Sequence, residues 1–179
     1  KTSEAGNTIK HLSDKDYEKN KSSFHISVFG NHKNTWHPPT LWIGLGCERN
    51  TRKELIEDSL QHFLTTNNLS PLSIAGFATV DLKKDEQAIL EISKEKNLPI
   101  KFFTSQELSA INTPNPSNIV LNEIGTPSVA EASCILAAGQ GSKLLKEKKI
   151  FKSTDSSKST FGAVTIAVSE SKNQYSPLN

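Results

Sequence analysis

The stretch "TLWIGLGCERNT", residues 40–51, decides the fold because an apolar run is followed at once by a glycine-containing turn. The run "TLWIGL" lacks an alternation of apolar and polar residues, which is typical of a strand buried on both faces. Thr51 and Glu54 have the spacing of a capping box, which predicts that a helix starts here. The stretch therefore predicts the strand–turn–helix unit of an α/β domain.

The same alternation continues downstream. The helix after Thr51 ends at the two asparagines 67–68, and its predicted inner face consists of Leu55, Ile56, Ser59, Leu60, Phe63 and Leu64. Further elements follow in order: strand 73–80, a helix over 83–97 with Ala88, Ile89 and Ile92 inward, strand 98–104, and a short helix 105–111 capped by Thr104 and Glu107. Strands alternating with helices of this length favour a parallel sheet.

Two successive helices are predicted over 116–124 and 127–138. Each has a capping residue followed by proline at the first helical position, Asn115–Pro116 and Thr126–Pro127. Gly125 and Gly139 stand where a helix ends with a positive φ angle. The second helix is apolar almost all round, which predicts burial against a sheet.

The predicted fold is a three-layer α/β/α sandwich with a mixed, mostly parallel sheet and a small N-terminal extension. The sheet is mixed because "KKIFK" (148–152) and "GAVTIAVSE" (162–170) pair as a hairpin around a polar loop that we expect to be mobile. Residues 1–39 are polar, with an edge-strand pattern at Phe24, Ile26 and Val28. We place the domain at 40–170 and expect 171–179 to be a disordered tail.

Composition excludes several classes of protein. The 179 residues have a mean hydropathy of −0.45 and a net charge of +2, which does not by itself imply nucleic acid. No stretch is long enough for a membrane span, and no signal peptide is recognisable, so a cytoplasmic protein is expected. The opening "KTSEAGNTIK" and the absence of methionine indicate an excerpt of a longer protein. The two cysteines and five histidines lack disulfide or metal-site spacing, and no metal or cofactor is expected.

The turn at 44–51 has two interpretations. Gly44-x-Gly46 begins a dinucleotide fingerprint, but the required third glycine falls at Arg49, and no P-loop is present. A helix N-terminus together with Arg49 suits a carboxylate or phosphate. Alternatively, the glycines form only a turn and Arg49 is solvated. Cys47 would need a histidine base to act as a nucleophile, and the sequence places none near it.

Two further clusters carry polar groups. Asp81, Lys83 and Glu86 follow a buried strand at its carboxyl end, where open α/β sheets bind ligands. Acids at a helix N-terminus also complement the helix dipole, which is the alternative for Glu86. Ser128 and Glu131 form a second Ser-x-x-Glu spacing that capping explains, yet Glu131 heads an apolar helix and requires a partner nearby.

The motifs "GLGCERNT", "AGFATVDLKKDE", "LPIKFFTSQEL", "PNPSNIV" and "GTPSVAEASCILAAG", in that order, closely resemble the C-terminal domain shared by the CbiG and CobE proteins of cobalamin biosynthesis. The resemblance covers roughly Leu41 to Val168. It implies a cytoplasmic CbiG enzyme that opens the lactone of cobalt-precorrin-5A with loss of acetaldehyde. The CobE form implies a stand-alone module with a less defined role.

Three features qualify the resemblance. Family members usually have an arginine where this chain has Glu48, which removes one of two basic charges. The N-terminal CbiG domain is missing, and residues 1–39 resemble part of the middle region. The form "WHPPTLWIGLGCER" resembles CbiG proteins fused to a precorrin-3B methyltransferase, which would be encoded beyond Asn179.

The resemblance implies a precorrin or cobalt-precorrin as the ligand, with cobalt carried by the substrate, and the N-terminal CbiG domain and a fused methyltransferase as partners. Neither nucleic acid nor a membrane is expected as a partner. Catalytic or orienting roles are assigned to Asp81, Glu86 and Glu131. Substrate binding is assigned to Gly46, Cys47, Arg49, Thr79, Lys83, Ser117 and Ser128. A non-catalytic module that binds tetrapyrroles or docks a partner, and a nucleotide-binding domain, are the competing hypotheses.

Overall fold

The computed structural model describes residues 25–30, 34–153 and 162–172. The described elements are β1 (His25–Ile26), β2 (Thr35–Trp36), β3 (Leu41–Cys47), α1 (Lys53–Thr66), β4 (Ile74–Val80), α2 (Gln87–Lys96), β5 (Ile100–Phe103), α3 (Ser105–Ser109), α4 (Asn118–Ile124), α5 (Ala130–Ala138), β6 (Lys143–Lys152) and β7 (Ala163–Glu170). Short 3₁₀ turns at Pro71–Ser73 and Asp81–Lys83 flank β4.

The main sheet has five strands in the order β5-β4-β3-β7-β6. Strands β3, β4 and β5 are parallel, whereas β7 is antiparallel to both β3 and β6. The predicted α/β class, the mixed sheet and the terminal hairpin are therefore confirmed. Strand β6 begins at Lys143 rather than Lys148, so the basic segment before the predicted strand also belongs to the sheet.

Helices cover both faces of the sheet. On one face, α1 and α2 pack on the apolar side of β3, β4 and β7, and the buried residues include Ile43, Phe63 and Ile166. On the other face, α5 packs on β3, β4 and β7. Gly44 allows this close approach, because a Cβ atom there would lie 1.8 Å from the carbonyl oxygen of Ala130. Gly44 therefore serves helix packing.

Four predicted helix starts are wrong, and the first three are those of α1, α2 and α4. Helix α1 is preceded by Arg52, and the Thr51 hydroxyl instead donates to the carbonyl of Glu48 at 2.8 Å, so Thr51 and Glu54 form no capping box. Helix α2 begins at Gln87 rather than 83 because residues 81–83 form the 3₁₀ turn. Helix α4 is capped by Ser117, since the Asn115 side chain binds elsewhere.

Helix α5 begins at Ala130, three residues after the predicted start at Pro127. The Ser128 hydroxyl donates to the Glu131 carboxylate at 3.3 Å, but no side chain caps the helix, so this second capping box is also wrong. In contrast, the capping box of Thr104 and Glu107 is confirmed. Gly125 and Gly139 end α4 and α5 with φ angles of 79° and 85°, also as predicted.

The described part of the N-terminal extension packs on the end of α1. Val28 is buried, and its carbonyl accepts the Ser70 N–H at 2.8 Å. The predicted edge strand is shorter than expected and twists, since only His25–Ile26 is extended and Ile26 is exposed while Val28 is not. Phe24, the loop residues 154–161 and residues 173–179 of the predicted tail lie outside the described residues, so the mobility and disorder predicted there stay predictions. The first residue of the tail predicted over 171–179, Ser171, donates its N–H to the carbonyl of Thr40 at 3.0 Å. In the described part of the chain, no helix has the length and apolar character needed to cross a membrane.

Candidate functional site

A cleft of about 450 Å³ opens at the carboxyl ends of β3 and β4. Gly46 and Cys47 end β3, and Thr79 and Val80 end β4. The start of β7, the end of β6, helix α4 and the first residues of α5 complete its walls. This is the edge of the sheet at which the sequence predicted a ligand, and open α/β sheets characteristically bind ligands there.

The structure brings all seven predicted binding residues to this cleft. They come from four separate parts of the chain, and they are Gly46, Cys47, Arg49, Thr79, Lys83, Ser117 and Ser128. The three predicted catalytic carboxylates, Asp81, Glu86 and Glu131, are not among the lining residues. The cleft therefore gathers the predicted binding groups, whereas Glu86 and Glu131 are buried outside its lining and Asp81 is half-buried in the 3₁₀ turn after β4.

A network of four charges lies beside the cleft. Arg49 contacts Asp85 at 2.5 Å, and the guanidinium also donates to the carbonyl of Leu82 at 2.6 Å. The buried Glu86 carboxylate lies 3.8 Å from Arg49 and 3.4 Å from the Lys83 ammonium. The hydrogen bond from Arg49 lowers the pKa of Asp85. Arg49 is thus already paired, while Lys83 has a single long contact and retains donors for a ligand.

Cys47 is a neutral thiol in this environment. Burial raises the pKa of Cys47 to about 11, and the nearby Lys83 ammonium only partly opposes this effect. The thiolate is the reactive form of cysteine, so at neutral pH this side chain is a poor nucleophile. Cys47 lines the cleft as a small apolar group.

The three predicted hydroxyl groups already have partners within the protein. Thr79 donates to the carbonyl of Leu45 at 2.7 Å. Ser117 accepts the N–H of Val120 at 3.4 Å, and Ser128 donates to Glu131. Thr79 and Ser128 therefore offer only lone pairs to a ligand and are secondary to the cations, whereas the Ser117 hydroxyl keeps its proton to donate.

The wall formed by β6 was not predicted from the sequence. Lys148, Ile150 and Lys152 line the cleft, and their spacing of two places them on one face of the strand. That period was the available signal, but the sequence predicted the strand without assigning its lysines to a site. Apolar residues of α4 line the same cleft. Ile119 of α4 is 70% exposed, and Ile150 of β6 is 56% exposed.

The cleft has an excess of positive charge. Its lining includes the cations Arg49, Lys83, Lys148 and Lys152, and the anions Glu48 and Glu123. The N-terminus of α5, at Ser128–Ala130, lies in the same surface and adds the positive end of a helix dipole. This environment favours an anionic ligand that also presents apolar surface.

A second, more open groove of about 580 Å³ runs beside the N-terminus of α1, where the sequence placed an anion. Its lining also contains the carboxylates Glu54, Asp85, Glu86 and Glu91. These acids oppose the helix dipole and the neighbouring cations, so the groove is less suited to an anion than the cleft. Within residues 25–30, 34–153 and 162–172, no group of three or more His, Cys, Asp or Glu side chains is arranged to hold a metal ion.

Comparison with known families and proteins identifies relatives over the same region. The family described as "Cobalamin synthesis G C-terminus" matches residues 41–169. A cobalt-precorrin-5A hydrolase of Priestia megaterium is 32% identical over 114 residues, which are 64% of this chain and 30% of that protein. Protein CobE of Sinorhizobium sp is 31% identical over 110 residues, which are 60% of this chain and 71% of that protein.

Solved structures of similar proteins share the fold. The crystal structure of CobE, a protein from the cobalamin biosynthetic pathway, superposes with a TM-score of 0.63 at 27% identity and covers 74% of this chain and 91% of that one. A cobalamin biosynthesis protein G homologue from Sulfolobus solfataricus has a TM-score of 0.52 at 22% identity, covering 82% of this chain and 44% of that one. The match therefore spans most of CobE, but less than a third of the Priestia hydrolase.

Proposed function

The chain belongs to the cobalamin synthesis G C-terminal family, and we propose that it binds a carboxylated corrin precursor as the C-terminal part of a cobalt-precorrin-5A hydrolase. The whole enzyme of this kind opens the lactone of its substrate with loss of acetaldehyde. The observation that carries the proposal is the cleft at the carboxyl ends of β3 and β4, whose lining combines basic side chains with exposed apolar ones.

The chemistry of the ligand matches this lining. A precorrin is a large, flat macrocycle fringed with acetate and propionate carboxylates. Lys83 at the base of the cleft and Lys148 and Lys152 on its rim would bind these carboxylates, since charge-assisted hydrogen bonds are stronger than neutral ones. The exposed side chains Ile119 and Ile150 would pack against the face of the macrocycle.

The glycine at position 46 supports binding in the cleft. A Cβ atom there would meet the Cβ of Thr165 at 3.6 Å and that of Val129 at 3.9 Å, which are ordinary contacts. The fold therefore does not require glycine at this position, in contrast to Gly44. Since Thr165 and Val129 both line the cleft, the missing side chain leaves space for a ligand.

The hydrolytic step is assigned to the part of the longer enzyme that this chain does not span. A general base must lie within hydrogen-bond reach of the water that it activates, and Glu86 and Glu131 are buried behind the cleft. We propose that Glu86 orients Lys83 and that Asp81, in the 3₁₀ turn after β4, shapes the same corner. Fusion to a precorrin-3B methyltransferase stays a prediction.

A non-catalytic, CobE-like binding module is the second candidate. The match to Protein CobE covers 71% of that protein, so a domain of about this extent exists as a separate relative. In this case the chain would bind or carry a precorrin without changing it. Both candidates share the ligand and differ in the need for a catalytic domain.

One titration distinguishes the candidates. The full chain is mixed with cobalt-precorrin-5A, and absorbance and acetaldehyde are followed, first alone and then with the N-terminal part of the Priestia hydrolase. A spectral change without acetaldehyde, followed by acetaldehyde when the N-terminal part is added, supports the hydrolase role. A spectral change with no acetaldehyde in either mixture supports the CobE-like module. Binding of nucleotides without binding of tetrapyrroles would overturn both.

A further inference from the structure

Glu131, in the first turn of α5, is completely buried although it carries a carboxylate. Among the described residues, no salt bridge reaches it. Four hydrogen-bond donors surround it instead: Oε1 accepts from Asn115 Nδ2 at 2.9 Å and from the Lys148 backbone N–H at 3.0 Å, and Oε2 accepts from the Asn115 N–H and the Ser128 hydroxyl, each at 3.3 Å. Hydrogen bonds of this kind compensate for the burial of a charge.

The donors come from three separate segments of the chain. Asn115 precedes α4, Ser128 precedes α5, and Lys148 lies in the edge strand β6. The pairing of β6 with β7 shifts register between Lys146 and Lys149, so Lys148 lies within an irregular stretch of the strand. The Lys148 ammonium donates to the carbonyl of Asn115. Glu131, Asn115 and Lys148 are therefore each bonded to the other two.

The consequence concerns the rim of the cleft. Lys148 is one of the two lysines that β6 contributes to the lining, and Glu131 binds its backbone directly. We infer that Glu131 is a positioning residue, which holds Lys148 at the rim of the cleft so that its ammonium can bind a ligand carboxylate. The role in binding rests on the proposed function, whereas the contact with the Lys148 amide does not.

If Glu131 only stabilised the fold, its substitution would also lower stability. A loss of stability therefore does not distinguish a fold-stabilising role from a positioning role. Each oxygen of the Glu131 carboxylate accepts two hydrogen bonds. Glu131→Gln keeps the size of the side chain, but its –NH₂ group faces two donors whichever way the amide is oriented. Lys148→Ala removes the ammonium and keeps the backbone N–H that Glu131 accepts. If Glu131 acts on ligand binding through Lys148, its substitution has no further effect once the ammonium is gone.

The test is a double-mutant cycle on the full chain with uroporphyrin III, a flat tetrapyrrole with eight carboxylates, titrated by absorbance. We expect Glu131→Gln and Lys148→Ala each to weaken binding about fivefold, the upper range for an exposed ion pair, and the double variant to bind like Lys148→Ala. Asn67→Ala, which removes a bond to the carbonyl of Phe63 at the far end of α1, is the control for lost stability and leaves binding unchanged. A further fivefold loss on adding Glu131→Gln to Lys148→Ala would overturn the inference, as would unchanged binding in Glu131→Gln.

Amide hydrogen exchange tests the contact without any ligand. We expect the Lys148 and Asn115 amides to exchange at least about tenfold faster in Glu131→Gln while the amides of β7 keep their rates, because only local bonds are lost. Uniform acceleration across the sheet would contradict a positioning role. If the wild-type chain does not bind uroporphyrin III or cobalt-precorrin-5A, the proposed function fails, and the exchange pattern alone decides on Glu131.

Should Glu131→Gln not fold, Asn115→Ala replaces it in both experiments. This change removes the bonds from Asn115 Nδ2 to Glu131 and to the exposed Glu147, each 2.9 Å long, and keeps the backbone N–H of Asn115. We expect faster exchange of the Lys148 amide and weaker binding that again disappears in the Lys148→Ala background. Unchanged exchange at Lys148 or an additive loss of binding overturns the inference.

Discussion

The Lys83 ammonium lies 3.4 Å from the Glu86 carboxylate, and both residues are almost fully buried, at 5% and 4% exposure. Lys83 belongs to the lining of the cleft, whereas Glu86 lies behind it and also faces Arg49 at 3.8 Å. The buried acid therefore fixes a cation at the base of the cleft. Removing one partner of a buried pair leaves the other charge without compensation.

Lys83→Met is expected to weaken binding of uroporphyrin III about tenfold, because a cation at the base of the cleft is lost. It also leaves the buried Glu86 with only the more distant Arg49 at 3.8 Å, which costs about 3 kcal/mol of unfolding free energy. The neighbouring Lys84 is exposed and does not line the cleft, so Lys84→Met is the matched control. Absorbance titration and urea denaturation measure the two effects. Equal affinities of the two variants would argue against a role of Lys83 in binding.

The two glycines of the turn are expected to respond oppositely to alanine. Gly44→Ala places a methyl group 1.8 Å from the Ala130 carbonyl oxygen and should destabilise the domain by at least about 1–3 kcal/mol. Gly46→Ala meets only ordinary contacts, so its melting temperature should match the wild type while binding of uroporphyrin III weakens. Thermal unfolding and titration of both variants check this contrast. A stable Gly44→Ala or full binding by Gly46→Ala would contradict it.

The ion pair of Arg49 and Asp85 predicts a pH dependence. The hydrogen bond from Arg49 holds the pKa of Asp85 below its ordinary value of 3.8. Because the pKa of Asp85 is lower in the folded than in the unfolded chain, the ion pair stabilises the fold at pH values above the unfolded-state pKa. This stabilisation is lost as the pH falls through the folded-state pKa. The melting temperature of the wild type should exceed that of Asp85→Asn at pH 7, and the difference should shrink below about pH 4. As a control, high salt should reduce the difference in melting temperature at pH 7, because it screens the exposed ion pair. A difference that grows on acidification would refute the role of the Arg49–Asp85 pair.

Cys47 is expected to resist alkylation. Since burial raises the pKa of its thiol to about 11, little thiolate exists at pH 7, and reaction with iodoacetamide should be slow and should accelerate toward high pH. Cys134, whose pKa is raised to about 12 by burial, should react only on unfolding. Mass spectrometry of alkylated peptides measures both rates, and urea-unfolded protein is the control. Rapid labelling of Cys47 at pH 7 would restore it as a candidate nucleophile.

The sequence predicted the order of the central elements because their hydrophobic patterns are strong. Leu41–Cys47 is an uninterrupted apolar strand, and five of the six residues predicted for the inner face of the first helix are buried in α1, while Leu55 is partly buried. Helix starts were predicted less well, since short polar side chains satisfy capping patterns by spacing alone. Asn115 illustrates this, because its side chain binds the distant Glu131 rather than the start of its own helix.

The site was predictable where its residues follow strand ends. Gly46, Thr79 and Lys83 lie at the carboxyl ends of β3 and β4 or just after them, and all line the cleft. The wall formed by Lys148 and Lys152 depends on the pairing of β6 with β7 far along the chain, which local patterns do not specify. The burial of Glu131 likewise results from three segments that meet only in the folded domain.

The location of the ligand is the central claim, and amide chemical-shift mapping tests it most directly. The isotope-labelled full chain is titrated with cobalt-precorrin-5A, with uroporphyrin III as a stable second probe. We expect the largest shifts at residues around the cleft, namely Gly46, Thr79, Lys83, Val129 and Lys148. Shifts concentrated instead at the opposite end of the sheet, around Leu60, Leu72 and Leu98, or no shifts with either ligand, would contradict it.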